Sequence, residues 1–405
     1  MAVITTTRFT EGYDPSATDY DGGNERLDVS EFLDTLDPWE TPLLALVGRD
    51  SLETPCTQIK HEWLEDAVIG LSTTSTDTDL NNTSTGVVTL TVASGEGLKF
   101  RGYGTSAYDG TGPCDVLRIS STAGEELAIC LGSASTSVIV ERGYGSWSTP
   151  VDHTGYTKTI QIVGTMQPQG LKTPGSSRIT LKSTLYNYTQ IFEDTYETTA
   201  THDATAKIVR GDENARQRAR IAKKLGVLMD AALLFGKKQA PTTTTVGSTM
   251  DGIRTRISTN VYNKAGVKLQ DVHLEDAMEA SWRAGGKRDL YALMNSTQRR
   301  VVNRMLDPWR QTGYSDSTFG TRVDRFETPF GAITVVLHRE MPQDEVLMIE
   351  KARVGFGPLR PLREGKLPST TLEYDQWQWT GEYTAEVRQE SVHARIYGLS
   401  TTNVL

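Results

Sequence analysis

Cysteine is scarce in this chain: Cys56, Cys114 and Cys130 are the only three among 405 residues, and none lies in a CxxC spacing. An odd, unpaired set excludes a disulfide framework and a structural zinc site, and reads as free thiols in a reducing compartment. Long apolar runs are missing too. No stretch approaches the ~20 residues that span a bilayer, and the opening MAVITTTRFTEGYD has neither the basic nor the apolar region of a signal peptide. The expectation is a soluble chain that stays where it is made, with no membrane partner. Positive charge is in deficit, 42 Lys and Arg against 51 Asp and Glu for a net charge of −9. That balance excludes a dedicated nucleic-acid binder and leaves only loose contact with packaged or passing DNA. Three N-x-[ST] triplets, at Asn82, Asn187 and Asn295, are chance matches in a chain without secretion signals.

Catalytic signatures are absent as well. There is no GxxxxGK[ST], GxSxG or HExxH. Gly102, Gly104, Gly110 and Gly112 punctuate RGYGTSAYDGTG, but a strand-like segment follows them instead of the helix a phosphate cradle needs. His61-Glu62 with Glu65 and Asp66 alternates sides along an extended segment, which favours an exposed polar ribbon over an acid–base cluster. His202-Asp203 is read as the entry to a helix, with Asp203 as a cap. His153, His273, His338 and His393 are isolated from one another. No catalytic, cofactor-binding or metal-binding residue is assigned, no cofactor is implied and no enzymatic activity is expected.

What is present is organised around Arg210 to Gly236. Ala215, Ala219, Ala222, Gly226, Met229 and Leu233 form one helical stripe, with Ile221, Leu225, Leu228 and Ala232 beside it. Arg216, Arg218, Arg220, Lys223 and Lys224 populate the other side, so the helix is amphipathic. Asp212 and Glu213 suit its N-terminal dipole, and Gly236 with Lys237 and Lys238 suits its end. At about 1.5 Å per residue it is roughly 35 Å long.

Taken in order, residues 1 to about 30 are too poor in apolar side chains to order themselves, and read as an arm fixed by a partner surface. DVSEFLDTLDPWETPLLALVGR follows, two short helices or turns split by Asp37-Pro38 and Thr41-Pro42. Polar ribbons run from Ile59 to Gly86 and from Gly164 to Ala200. Between them VVTLTVA, DVLRISS, EELAICLG, SVIVERGYG and TIQIVG are short strands with the punctuation of a small barrel or sandwich. Beyond the long helix, LEDAMEASWRAGG and TQRRVVNRML read as helices, DLYALMN and DEVLMIE as buried strands. RVDRFETPFGAITVVLHRE reads as a hairpin turning at Thr328 to Gly331, and residues 370–399 as two extended strands meeting at a turn around Gly381. Helices and strands mix without βαβ order, so the fold class is α+β.

The order of these parts resembles that of tailed-phage major capsid proteins. The arm motif Leu36-Asp37-Pro38, Glu40-Thr41-Pro42 and Gly48-Arg49 comes first, followed by His61-Glu62-Trp63. Asn187 to Phe192 carry the return, and Asp230 to Gly236 end the long helix. EASWRAGGKRDLYALMNSTQRRVVNRM completes the set. The resemblance covers nearly the whole chain except residues 87–163. It implies the fold first seen in the phage Hong Kong 97 capsid. In that scheme residues 1–58 are the N-terminal arm, and 59–86 with 164–200 the extended loop. Residues 87–163 are an inserted β-barrel or sandwich domain, 201–266 with 359–405 the peripheral domain carrying the spine helix, and 267–358 the axial domain. The implied function is self-assembly into hexamers and pentamers of an icosahedral shell around DNA, in the virion after assembly in the bacterial host cytoplasm. Portal, scaffolding and decoration proteins are the further partners it implies. A carbohydrate-binding or adhesive β protein, or a hydrolase whose acids converge only in space, is the alternative that the residues themselves leave open.

Overall fold

The computed structural model describes residues 39–66, 70–75, 77, 80, 86–102, 112–144, 150–170, 182–199, 201, 213–242, 246–306, 325–368 and 374–402. The arm before Trp39, the His202-Asp203 pair with its expected cap, and most of the RGYGTSAYDGTG loop lie outside the described residues. The chain divides into two compact units, Met1–His61 with Tyr186–Leu405, and Glu62–Leu185.

In the larger unit the long helix runs Glu213–Phe235, 23 residues. The buried positions are Ile221, Leu225, Met229, Leu233 and Leu234, a mixture of the two expected stripes. Ala215 and Ala219 are exposed, as is Leu228, so only the C-terminal two-thirds of the helix is embedded. Gly236 follows the helix for reasons of space: a Cβ there would stand 2.5 Å from the Ala232 carbonyl and 2.6 Å from that of Met250.

A mixed six-stranded sheet lies beneath, in the order Val261–Asn263, Ala394–Tyr397, Val346–Ile349, Asp289–Met294, Gly331–Leu337, Arg325–Thr328. Alternation along its strands sends two sets of side chains in opposite directions. Leu290, Ala292, Met294, Val346, Met348, Ala394 and Ile396 pack with Leu274, Ala277 and Met278 of helix Asp271–Arg283 and with Val301 and Val302 of helix Ser296–Leu306. Leu293, Leu347 and Ile349 instead join the long helix, the short helix Pro42–Val47 and a three-stranded sheet in a second core. The result is helix, sheet and helix in three layers. The expected hairpin is present, with Pro329-Phe330 as its two-residue turn between Thr328 and Gly331.

The three-stranded sheet corrects one sequence expectation. Tyr374–Val387 is a single strand that runs straight through Gly381, paired on one side with Gln190–Thr199 and on the other with Val354–Leu367. Gly381 is a point of close approach and not a turn, because a Cβ would meet Leu362 Cα and the Tyr383 ring at 3.0 Å. The strand Val354–Leu367 escaped notice in the sequence. Its register slips twice, between Pro358 and Arg360 and between Arg360 and Arg363, and its two prolines and charges are the marks of an edge strand.

The smaller unit is an antiparallel sheet in the order Ser72–Ser75, Lys158–Met166, Cys114–Ser121, Gly124–Ala134, Ser137–Arg142, Gly86–Thr91. A bridge between Ser75 and Val92 joins the two edges and closes it into a barrel. Leu90, Leu117, Ile119, Ala128, Val138, Val140 and Ile160 fill the interior. Ser72–Ser75 and the buried Leu80 come from the polar stretch before residue 87; without Ser72–Ser75 the edges could not meet.

Candidate assembly surface

Several residues of the resemblance motifs are joined to distant parts of the larger unit by buried polar bonds. Helix Pro42–Val47 has no side-chain cap at Thr41, and Pro42 at its start has no N–H to offer. The Leu44 N–H finds its acceptor 186 residues away, donating to Asp230 Oδ1 at 2.6 Å. Asp230 Oδ2 lies 2.6 Å from His338 Nε2, and His338 Nδ1 accepts the Glu340 N–H at 3.2 Å, so Nε2 carries the hydrogen given to Asp230. One buried carboxylate thus ties the short helix, the long helix and the end of strand Gly331–Leu337. Leu43, Leu44 and Val47 are buried in the same core as Leu225 and Met229. Gly226 leaves room for its neighbours, since a Cβ there would sit 3.3 Å from the Arg49 guanidinium and 3.8 Å from the Thr41 methyl.

The ribbon strands Lys60–Glu65 and Ser183–Tyr188 form a two-stranded sheet. Its base is held to the larger unit by polar bonds. Asn187 is buried and satisfied on every side: Nδ2 donates to the Asp251 and Ala385 carbonyls at 3.1 and 2.7 Å, and Oδ1 accepts the Asp251 and Tyr188 N–H groups at 2.7 and 2.9 Å. Along the strand beneath, Glu382 Oε1 accepts the Thr189 hydroxyl at 2.6 Å, the Thr384 hydroxyl donates to the Tyr188 carbonyl at 3.1 Å, and Glu386 Oε2 lies 3.4 Å from His61 Nε2. Tyr186 is flanked by the ammonium groups of Lys60 and Lys238, at 4.4 and 4.5 Å from its ring centre.

Charge at this base is distributed by pairing and burial. Arg388 lies 2.7 Å from Glu53 and holds that carboxyl below its usual range. Burial pushes the Cys56 thiol up, consistent with an unreactive free cysteine. Burial also raises Asp251, against the pull of Lys238. Deeper in the unit, Glu345 receives Arg254 and Arg395 together, at 3.0 and 2.7 Å. His393 accepts the Glu350 N–H at Nδ1, and burial lowers it to about 4.

The histidines that are isolated in sequence all have partners in space. His61 is buried against Glu386, where an exposed ribbon position was expected; its neighbour Glu62 is exposed, as alternation requires. His273 completes a capping box with Gln270 at the start of helix Asp271–Arg283. In the barrel, His153 Nδ1 is 2.7 Å from the Ser121 hydroxyl, and its Nε2 is 3.6 Å from Glu126. That trio has the composition of a hydrolase site but the wiring of a packed network. Glu126 is occupied by two bonds from Arg142 and one from the Val151 N–H, and His153 is wholly buried. Among the described residues no group of three or more His, Cys, Asp or Glu could hold a metal ion, and no helix is long and apolar enough to cross a membrane. Asn187 is buried and both amide hydrogens of Asn295 reach carbonyls, so neither of these triplets offers a free acceptor amide. Sequence reasoning placed Asp230 in a family motif without its role as a tie between segments, and missed Glu382, Glu386 and Arg388, whose partners lie far away in the chain.

A family model described as SU10 major capsid protein matches residues 4–400. Among solved structures the chain is similar to the capsid of cyanophage A-1(L), at 10% identity over 92% of this chain and 96% of that one, with a TM-score of 0.49. It is likewise similar to the capsid of a native GTA particle, at 11% identity over 94% and 97%, TM-score 0.48. The capsid of cyanophage P-SCSP1u matches at 13% identity over 58% and 80%, TM-score 0.41. No curated protein matches the sequence.

Proposed function

The chain belongs to the SU10 major capsid protein family and is thereby a tailed-phage major capsid protein; from that premise we propose that it assembles into hexamers and pentamers that tile an icosahedral shell around the genome. The observation that carries this reading is the double anchorage on one body. Asp230 fixes the root of the arm, and Asn187 with Glu382 and Glu386 fixes the root of the ribbon. Ile59, Leu64 and Ile191 leave apolar side chains exposed. Copies of the same chain around a symmetry axis would cover such surfaces.

In this proposal residues 1–58 are the arm, and 59–86 with 164–200 the extended loop. Residues 87–163, with Ser72–Ser75 completing their barrel, are an inserted domain, 201–266 with 359–405 the peripheral domain, and 267–358 the axial domain. Portal, scaffolding and decoration proteins are proposed partners, packaged DNA is touched without sequence preference, and assembly takes place in the host cytoplasm. Imaging of the purified chain tests it. Closed shells with pentameric and hexameric capsomers are expected; a chain that stays monomeric at every concentration and salt condition, with or without co-expressed phage assembly proteins, would refute it.

A further inference from the structure

Between helix Pro42–Val47 and His61, where the ribbon begins, the chain crosses the larger unit as a surface strap. One end is pinned to strand Val354–Leu367. The Ser51 N–H donates to the Phe356 carbonyl at 2.9 Å, and the Phe356 N–H returns to the Ser51 hydroxyl at the same distance. Leu52 lies over two glycines: a Cβ at Gly355 or Gly357 would come within 3.1 or 2.6 Å of its methyl carbons. Cys56 is buried in the middle, its thiol donating to the Gln58 carbonyl at 3.2 Å. Glu53, Thr54, Pro55, Thr57 and Gln58 are exposed.

A row of ionic contacts runs under the strap from one end to the other. Glu53 Oε2 is 2.7 Å from Arg388 Nη1, Arg388 Nε is 3.5 Å from Glu386 Oε1, and Glu386 Oε2 is 3.4 Å from His61 Nε2. Arg388 also donates through Nη2 to the Ala352 carbonyl at 3.0 Å. Exposure falls along the row, from 73% at Glu53 to 22% at Arg388 and 7% at both Glu386 and His61. Arg388 is thus shared between two carboxylates, and Glu386 between a guanidinium and an imidazole. Attraction at the buried end is less screened than at the surface. A guanidinium released by Glu53 therefore turns to Glu386 and competes with His61 for it. Beside His61 the wholly buried Thr189 donates its N–H to the Ile59 carbonyl at 2.9 Å, a backbone bond at the base of the ribbon.

Resting on the self-assembly reading above, in which other copies cover the arm and the ribbon, we propose that the strap couples the two. Glu53 keeps Arg388 from drawing Glu386 away from His61, so lifting the strap off Arg388 loosens the base of the ribbon. The element has two arrangements, Arg388 shared or Arg388 given wholly to Glu386, and both ends of the strap bias it. A contact that moves the arm side changes the freedom of the ribbon, and a contact that fixes the ribbon base favours the seated strap by the same free energy. Tension along the six residues between Glu53 and Ile59 is the rival explanation, and it has no need of Glu386.

Hydrogen exchange of the unassembled full chain tests it, read by mass spectrometry on peptides that contain Thr189. Glu53→Gln should speed exchange there about 3-fold, the scale of a partly exposed ion pair, although Glu53 does not touch Thr189. Glu53→Lys, which repels Arg388, should speed it further. In a Glu386→Gln background no carboxylate is left to be drawn away, and Glu53→Gln should leave Thr189 unchanged. His61→Gln is the second background and should abolish the effect equally, which keeps the test valid where Glu386→Gln disturbs folding. Unchanged Thr189 exchange in Glu53→Gln, or faster exchange confined to residues 51–56, would overturn the coupling. The same acceleration with and without Glu386 would overturn it too, in favour of tension along the chain. Subunits that show the coupling yet never form capsomers would overturn the assembly reading alone; shells built from a chain without the coupling would overturn the coupling alone.

Discussion

His338 Nε2 stands 2.6 Å from Asp230 Oδ2 in the buried core of the larger unit, and the other oxygen of that carboxylate takes the Leu44 N–H at the same distance. Removing the carboxylate by Asp230→Ala strands two buried donors. At about 1–3 kcal/mol for each unsatisfied group, the loss should be roughly 2–6 kcal/mol. Asp230→Asn keeps one acceptor and should lose about half as much. Denaturant unfolding of the unassembled subunit measures both. An Asp230→Ala chain within about 0.5 kcal/mol of wild type, the range of an ordinary surface change, would show that the carboxylate ties nothing together.

Acid should loosen the same unit through His393. Burial lowers this imidazole from 6.5 to about 4, so the folded chain favours its neutral form. The stabilisation is fully present above pH 6.5 and is lost as pH falls toward 4, because the unfolded chain takes up the proton first. About 3 kcal/mol is at stake over that window. His153 in the barrel moves in the same direction, lowered by burial against the opposing pull of Glu126. Unfolding free energies at pH 7, 5.5 and 4.5 should fall in step; an NMR titration placing His393 near 6.5 would remove it as the cause.

Gly381 gives a paired test of the three-stranded sheet. A side chain there meets Leu362 and Tyr383 at 3.0 Å, whereas a Cβ at Gly365 meets nothing within 4 Å. Gly381→Val should therefore cost about 1–3 kcal/mol by overpacking, and Gly365→Val less than about 0.5 kcal/mol. Equal melting temperatures for the two variants would return Gly381 to a turn.

That glycine also shows where the sequence was legible and where it was not. Local periodicity sufficed for helices Glu213–Phe235, Asp271–Arg283 and Ser296–Leu306, and for the hairpin at Pro329-Phe330, because each is specified by residues within a few positions of one another. It failed where a distant neighbour decides. Gly381 looks like a breaker until Leu362 is seen beside it, and Val354–Leu367 looks like a loop until its bulges are paired with Tyr374–Val387. The anchors were less visible still. Asp230 and His338 are 108 residues apart and His61 and Glu386 are 325 apart, so no spacing rule connects them. The ordered motifs marked the right segments as a family pattern without revealing which atoms made them necessary.

The last prediction concerns where the barrel can be removed. Ser72–Ser75 pairs with Lys158–Met166, and Ser75 meets Val92 to close the barrel, so deletion of residues 87–163 alone would leave that strand and the apolar Leu80 without partners. The ribbon offers a cleaner cut. Glu65 and Ser183 are adjacent across its two strands, with the Ser183 hydroxyl donating to the Glu65 carbonyl at 3.3 Å. Replacing residues 66–182 by Asn-Gly should turn the ribbon into a short hairpin. The resulting chain should keep the helical circular dichroism and melting temperature of the larger unit, while residues 66–182 expressed alone should give a cooperative β-type melt. The 87–163 deletion should instead expose strand edges and apolar surface and aggregate. If both deletions melt alike and stay soluble, Ser72–Ser75 does not belong to the barrel.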